Sequence, residues 1–272
     1  MLKVNGRTRL VFVAGDPIDH AKGFPEYAEA LHAAGLEAAY LPVHVPAGRL
    51  AAFLDGLRWV RNVAGVVATI PHKQAARAIG RPDEAARRSG SANLLRRGRD
   101  GAWECSMVDG AGFLHAMDAA GMTLACRRVQ VLGAGGAGRA VAMAIAERQP
   151  AGIAVHDPDR GRADALVADL AREFPSVASA SALGASEVLI NCSPLGMGHD
   201  ERMPVDESLI PTNGAVYDVV NRPDTPLLVA AARRGCRVDH GRSMMLAQIP
   251  LVLRYFFERD GSNAPGHRPC EA

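Results

Sequence analysis

Two polar residues stand where proton chemistry could be done. Lys73 closes the run "VATIPHK", and Asp109 opens the segment "DGAGFLHAMDAAG". A lysine just past a strand end is more often a solvated charge, and an aspartate at a helix start more often a cap. As a pair they allow something else. A group that exchanges a proton with a reacting hydroxyl must reach it and change protonation at modest cost. Lysines in water are poor at this, with a reference pKa of ~10.4. Desolvation lowers that value, whereas a neighbouring carboxylate favours the charged form and holds the ammonium in place. Lys73 therefore needs a partner, and Asp109 is the candidate.

A second group of residues points to a dinucleotide. "VLGAGGAGRA" contains Gly133-x-Gly135-x-x-Gly138, after a predicted strand and at the start of a predicted helix. That context gives the motif its meaning. Gly133 allows a tight turn, Gly135 lets a pyrophosphate approach the backbone, and Gly138 lets helix and strand pack closely. Gly136 and Ala137 complete the turn, whose helix N-terminus faces the phosphates. Asp157 lies 19 positions beyond Gly138, where an acid meets the adenosine ribose. Its carboxylate would accept ribose hydroxyls and repel a 2′-phosphate, although a capping role for it stays open. Arg160 and Arg162 could receive that phosphate, but Asp157 and Asp159 flank them. NAD is therefore expected over NADP.

Short β-rich runs alternate with helical ones around these residues. "RLVFVAG", "EAAYLPVHV" and "VAGVVATI" read as strands, with helical "PEYAEALHAAGL" and "RLAAFLDGLRWV" between them. Such alternation implies βαβ units and a mostly parallel sheet. "SANLLRRGRDGAWECS" interrupts it with two extended runs about Asp100-Gly101, a hairpin signal. A helix over 109–121 follows. A second alternating series then runs from "RRVQVLG" through "GIAVHD", "EVLINCS" and "GAVYDVV" to a last helix containing Pro250. The polar tail "RDGSNAPGHRPCEA" is expected to be loose. The 272 residues suffice for two domains, and the composition is globular, 48% hydrophobic and 22% charged. A net charge of +2 does not suggest nucleic acid. The apolar stretches are too short to span a membrane. Five cysteines without C-x-x-C spacing signal neither a disulfide framework nor a metal site. A reducing cytoplasm is the expected compartment.

The ordered set "GDPIDHAK", "ATIPHK", "SANLL", "VDGAGF", "VLGAGGAGRA", "INCSPLGM", "YDVV" and "MMLAQ" resembles the shikimate dehydrogenase family over residues ~10–257. The resemblance implies an α/β enzyme of two domains. One is a mostly parallel α/β substrate domain made from both chain ends, residues 1–110 plus 240–272. The other is a Rossmann-type NAD-binding domain, residues 111–239. It implies that Lys73 and Asp109 act as a pair on a ring hydroxyl. Thr69, Asn93 and Gln248 match substrate-contacting positions. Cys192, Ser193, Val219 and Gly241 match positions lining the cofactor cleft. Met244 is a candidate nicotinamide contact, with helix packing as its default role. The implied substrate is a small cyclic hydroxy or amino-hydroxy acid, with a homodimer as the candidate assembly and no metal.

The departures from the family pattern are equally informative. Ala21-Lys22-Gly23-Phe24 replaces "S-K-S-P", so both hydroxyls that would hold the substrate carboxylate are gone, leaving Lys22 to meet it. Met107 and Val108 replace the Asn and Thr of "N-T-D-G", Val67 stands at a usual asparagine, and Asn221 at a usual tyrosine. Each polar group of a matched substrate left unpaired costs ~1–3 kcal/mol. The family's "N-R-T" motif for NADP is replaced by Asp157-Pro158-Asp159. These changes describe an NAD-preferring member for which shikimate is a poor substrate. They leave open an NAD-binding regulator that lost its chemistry, or a dehydrogenase of the same plan with another substrate. His72 is expected to be exposed or to cap a helix.

Overall fold

A computed structural model describes residues 4–258, so the expectation about the tail beyond 258 lies outside the described residues. The first sheet is built from β1 (Arg9–Gly15), β2 (Ala38–His44), β3 (Val63–Ala68), β4 (Arg81–Pro82), β5 (Leu94–Arg97) and β6 (Trp103–Ser106) in the order β2-β1-β3-β5-β6-β4. The β1–β2 and β1–β3 pairs are parallel, whereas β5 runs antiparallel to both β3 and β6. The hairpin about Asp100-Gly101 thus turns an otherwise parallel sheet into a mixed one. Val11, Val13, Ala14 and Val66 make its strands buried, apolar runs, as expected where helices cover a sheet. The covering helices include α1 (Phe24–Ala33), α2 (Leu50–Leu57), α3 (Lys73–Ile79) and α4 (Glu84–Ser89).

The second sheet takes the order β12-β11-β10-β7-β8-β9, all parallel. Its strands are β7 (Arg128–Leu132), β8 (Gly152–His156), β9 (Ser179–Ser181), β10 (Val188–Asn191), β11 (Ala215–Asp218) and β12 (Arg237–His240). Helices α6 (Gly136–Glu147), α7 (Arg160–Glu173) and α8 (Pro226–Arg233) connect them. Thr225 caps α8 by accepting from Leu228 N–H, and Asp159 caps α7 through Arg162 N–H. The cap of α7 is therefore Asp159 and not Asp157.

Two helices join the sheets. Helix α5 (Asp109–Ala119) packs between α6 and α9 (Gly241–Phe257). Small residues let it do so: a Cβ on Gly110 would lie 2.7 Å from the Ala140 carbonyl of α6, and one on Gly112 would lie 2.4 Å from Gln248 Cγ of α9. Helix α9 carries Pro250 in its interior. Its first half places Met244 in the core with Phe113 and Tyr217, and its second half lays Val252 and Phe256 on the first sheet beside Val11 and Leu94.

Candidate active site

The loop after β3 brings Lys73 into position. Thr69 N–H bonds the Ala14 carbonyl and His72 N–H bonds the Thr69 carbonyl, so the turn ends with Lys73 as the first residue of α3. His72 is buried, and its Nε2 lies 2.8 Å from the Val45 carbonyl. It occupies the cap position of α3 but makes no side-chain cap bond, which corrects the expectation of an exposed or capping histidine. The Val45 segment folds over the loop, a long-range contact that local sequence does not carry.

Asp109 is the first residue of α5, and its side chain does not cap that helix. Its Oδ2 accepts from Lys73 Nζ at 2.5 Å, while its Oδ1 accepts from Asn93 Nδ2 at 2.8 Å and Gln248 Nε2 at 3.3 Å. Asn93 Oδ1 in turn accepts Val108 N–H, fixing the backbone just before the helix. The Lys73 and Asp109 side chains are 16% and 4% exposed, so this ion pair is largely withdrawn from water and is not a surface charge pair. Three donors from three separate elements converge on one carboxylate.

The glycine turn lies beside this pair. A Cβ on Gly136 would stand 2.9 Å from Lys73 Cβ, and the Gly136 carbonyl accepts from Ser91 Oγ at 3.0 Å. Gly133 adopts φ +97°, and a Cβ on Gly138 would lie 1.9 Å from the Gly133 carbonyl. Gly135, at the cap position of α6, contributes no side chain to the exposed N–H groups of the helix, and a Cβ there would meet nothing within 4 Å. A helix N-terminus with free donors and open space before it fits the pyrophosphate of a dinucleotide. Ala137 follows in the first turn. Cys192 and Ser193 border Gly133, and Val219 meets Gly241, where an added Cβ would lie 2.1 Å from the Val219 carbonyl. These residues thus gather at the C-terminal ends of β7, β10 and β11, where ligands bind in open α/β sheets.

Beneath that rim Asp218 is fully buried, accepting from Asn191 Nδ2, Thr225 Oγ1 and Val220 N–H. Burial pushes its carboxyl up to about 6, and the three donors pull the other way. The same burial, with Asp218 and Asp109 nearby, pushes the Cys192 thiol far up. Cys192 is therefore a packing residue of the cleft and should resist thiol alkylation at neutral pH, measurable by mass spectrometry of the folded protein.

At the ribose end, Asp157 Oδ2 accepts Ala134 N–H at 2.8 Å and its Oδ1 accepts Asp159 N–H at 2.9 Å. Asp157 thus braces the turn with both carboxylate oxygens. Arg162 pairs with Asp159 at 3.2 Å and Arg160 with Asp164 at 3.9 Å, so both guanidiniums already answer carboxylates. Arg162, Gln74 and Arg139 line a cavity of about 270 Å³ next to Ala134. Lys22 is exposed, and Met244 is buried with Phe113 and Tyr217.

Several contributors escaped the sequence reading. Ser91 ties the glycine turn to the first sheet's loops, and Arg139 reaches from α6 to the Ser89 carbonyl and to Asp169. Met245 lies against Gly23, and His20 has both ring nitrogens buried without a hydrogen-bond partner. All four sit inside quoted motifs, but nothing local in those motifs marks the contacts they make.

Two α/β units, a glycine turn on one facing a buried lysine–aspartate pair on the other, define a two-domain protein of the dinucleotide-binding class. Residues 13–95 match the shikimate dehydrogenase substrate-binding domain. Shikimate dehydrogenase (NADP(+)) of Rubrobacter xylanophilus is 35% identical over 255 residues, covering 90% of this chain and 89% of that one. The chain belongs to the shikimate dehydrogenase family. The crystal structure of shikimate 5-dehydrogenase from Thermus thermophilus, in complex with NADP(H) and shikimate, superposes with a TM-score of 0.81 at 33% identity, covering 92% of this chain and 94% of that one. The ligand-free 5-ketofructose reductase of a Gluconobacter species is also similar, with a TM-score of 0.79, 27% identity and coverage of 94% and 95%. Among the described residues no helix is long and apolar enough to cross a membrane, and no cluster of metal-ligating side chains is present.

Proposed function

We propose that this chain is an oxidoreductase acting on CH–OH, interconverting a hydroxyl and a ketone on a shikimate-type ring with a nicotinamide dinucleotide. The observation that carries the reading is the Lys73–Asp109 pair, held by Asn93 and Gln248 and abutting the glycine turn. When bound at that turn, the nicotinamide supplies the hydride acceptor or donor. In the oxidative direction Lys73, as the neutral amine, takes the proton of the reacting hydroxyl and becomes the ammonium; in the reductive direction that ammonium returns a proton to the developing alkoxide. Asp109 keeps the ammonium aimed at the cleft, and Asn93 and Gln248 keep Asp109 from turning. Thr69, at the head of the loop, is assigned to a substrate hydroxyl. Residues 111–239 are taken as the cofactor unit. A regulator that had lost its chemistry would turn over no substrate with either cofactor. The test is a panel of cyclic hydroxylated substrates with either cofactor, following the absorbance of the reduced nicotinamide; no turnover of any member would refute the reading. Shikimate itself is expected to be turned over with a high KM.

NAD is the proposed cofactor. Asp157 offers a carboxylate where a 2′-phosphate would arrive, and Arg160 and Arg162 are each paired with an acid. We expect kcat/KM for NAD to exceed that for NADP at least ~10-fold, a preference that needs only ~1.4 kcal/mol. Equal values for the two cofactors would rule this out.

A further inference from the structure

Helix α4 belongs to the first unit by chain order, yet its basic side chains also reach the second. Arg87 lies 3.6 Å from Glu173 of α7, and Arg88 lies 3.6 Å from Glu147 of α6 and 3.9 Å from Glu173. Both arginines are exposed, and pairs of that kind are individually weak. Arg139, in the first turn of α6, is different: its side chain is only 13% exposed. Its Nε donates to the Ser89 carbonyl at 2.8 Å, at the C-terminal end of α4, and its Nη2 donates to Asp169 of α7. Gly90 ends α4 at φ +66° and packs on the guanidinium, with its Cβ position 3.2, 3.3 and 3.6 Å from Nη2, Nε and Cζ. One residue further on, Ser91 Oγ donates to the Gly136 carbonyl at 3.0 Å. Ser89, Gly90 and Ser91 of the first unit are thus seated on the opening turn of α6, the helix of the glycine turn.

The same short segment holds the reacting pair. Ala92 N–H donates to the Lys73 carbonyl at 2.9 Å, and Asn93 Nδ2 donates to Asp109 Oδ1 at 2.8 Å. The backbone of Asn93 is itself fixed, its N–H on the Ser106 carbonyl and its carbonyl on Ala68 N–H. Residues 89–93 therefore run without slack from the first turn of α6 to both members of the pair. A shift at one end is felt at the other, and a misplacement of about 1 Å can cost ~10² in rate. Asp169 also takes Arg172 at 2.7 Å, so it keeps a counter-charge when Arg139 is changed. Nε and Nη2 of Arg139 are both committed to protein acceptors, which makes the residue a link between elements.

We propose that Arg139 is a positioning residue: through residues 89–93 it sets where Lys73 and Asp109 stand relative to a dinucleotide on the glycine turn. This rests on the reading of Lys73 and Asp109 as the reacting pair and of the turn as the cofactor site. The hydride step is followed in a single turnover by the absorbance of reduced nicotinamide, with NAD and shikimate or whichever panel member the wild-type protein turns over fastest. Arg139→Met should slow that step ~10–100-fold, while the Kd for NAD stays within about threefold. Millimolar guanidinium chloride should restore part of the rate to Arg139→Ala, entering by the cavity of about 270 Å³ that Arg139 lines, and sodium chloride at the same concentration should not. Equal recovery by the two salts overturns the proposal. A weakened NAD affinity with an unchanged hydride rate makes Arg139 a cofactor contact and also overturns it. So does a lower melting temperature with rate and affinity both unchanged, the result a merely structural link would give. Ser91→Ala strands no charge and should slow the same step several-fold; should Arg139→Met not fold, an unchanged rate in Ser91→Ala overturns the proposal. Lys73→Met separates the two readings. Turnover retained there refutes the reacting pair and this assignment with it, whereas turnover lost there and normal in Arg139→Met refutes the positioning role alone.

Discussion

Lys73→Met should lower kcat by ~10²–10⁴, the usual worth of a positioned acid or base. Methionine is the informative replacement because the stem of Lys73 packs on the glycine turn, with Cδ 3.3 Å and Cγ 3.6 Å from the Cβ position of Gly136. Alanine would remove that packing and confuse loss of chemistry with a loosened cofactor site. With the stem kept, NAD affinity should stay within about threefold, the scatter of ~0.5 kcal/mol seen for innocuous changes. Asp109→Asn should be comparably inactive, since the ammonium loses the group that aims it. The two single variants should differ in stability. Removing Lys73 leaves a carboxylate still held by Asn93 and Gln248, whereas removing the Asp109 charge leaves an ammonium 16% exposed with no counter-charge. Uncompensated charges of this kind cost about 3–5 kcal/mol when fully buried, and somewhat less here. Asp109→Asn should therefore melt lower than Lys73→Met. Groups acting as a unit are non-additive, so the double variant should be little slower than the worse single one. Measured kcat, NAD affinity and melting temperature for the three variants decide the matter. If Lys73→Met keeps more than half the activity, the mechanism fails.

The second large effect is expected from two glycines three residues apart. A Cβ on Gly138 would fall 1.9 Å from the Gly133 carbonyl, backbone against side chain, with no flexible neighbour to move aside. Gly138→Ala must spread the turn, so it should lower the melting temperature by the equivalent of ~1–3 kcal/mol and abolish measurable NAD binding. Gly135 has φ −71° and open space around its Cβ position. Gly135→Ala should leave the melting temperature of the free protein unchanged. It should still weaken NAD binding at least ~10-fold, because in the proposed reading that space is where a pyrophosphate would approach the backbone. Normal NAD affinity in Gly135→Ala would mean that the dinucleotide does not cross this turn. The pair thus distinguishes a glycine required by the fold from one required by the ligand.

The glycine turn was legible because its strand, turn and helix all lie within one short stretch of sequence. The dyad was legible only as two separate residues in quoted motifs; that they meet depends on Gly110 and Gly112, which let α5 wedge between two helices. Strands β4, β9 and β12 went unread, since runs of two to four residues carry no periodicity and form only because a neighbouring strand offers its edge. The burial of His72 was missed for a related reason: its partner is the carbonyl of Val45, 27 residues away. Met245 reads as an ordinary helical apolar residue. Only the backbone at Gly23 reveals that its thioether lies against that glycine.

Helix α9 has a consequence for how the protein is made. A ribosome releases β1, β3 and β5 long before it reaches Phe256, whose ring lies 2.2 Å from the Cβ position of Gly65 at the centre of that sheet. Until then the face carrying Val11 and Leu94 has Tyr27 of α1 against it but lacks the cover of α9. The nascent first unit must therefore wait, with apolar strand surface open to other chains, while the whole second unit is synthesised and folds. Its completion depends on the latest described helix of the chain, which makes the interval of translation between residues 106 and 257 the period in which this protein most needs a chaperone.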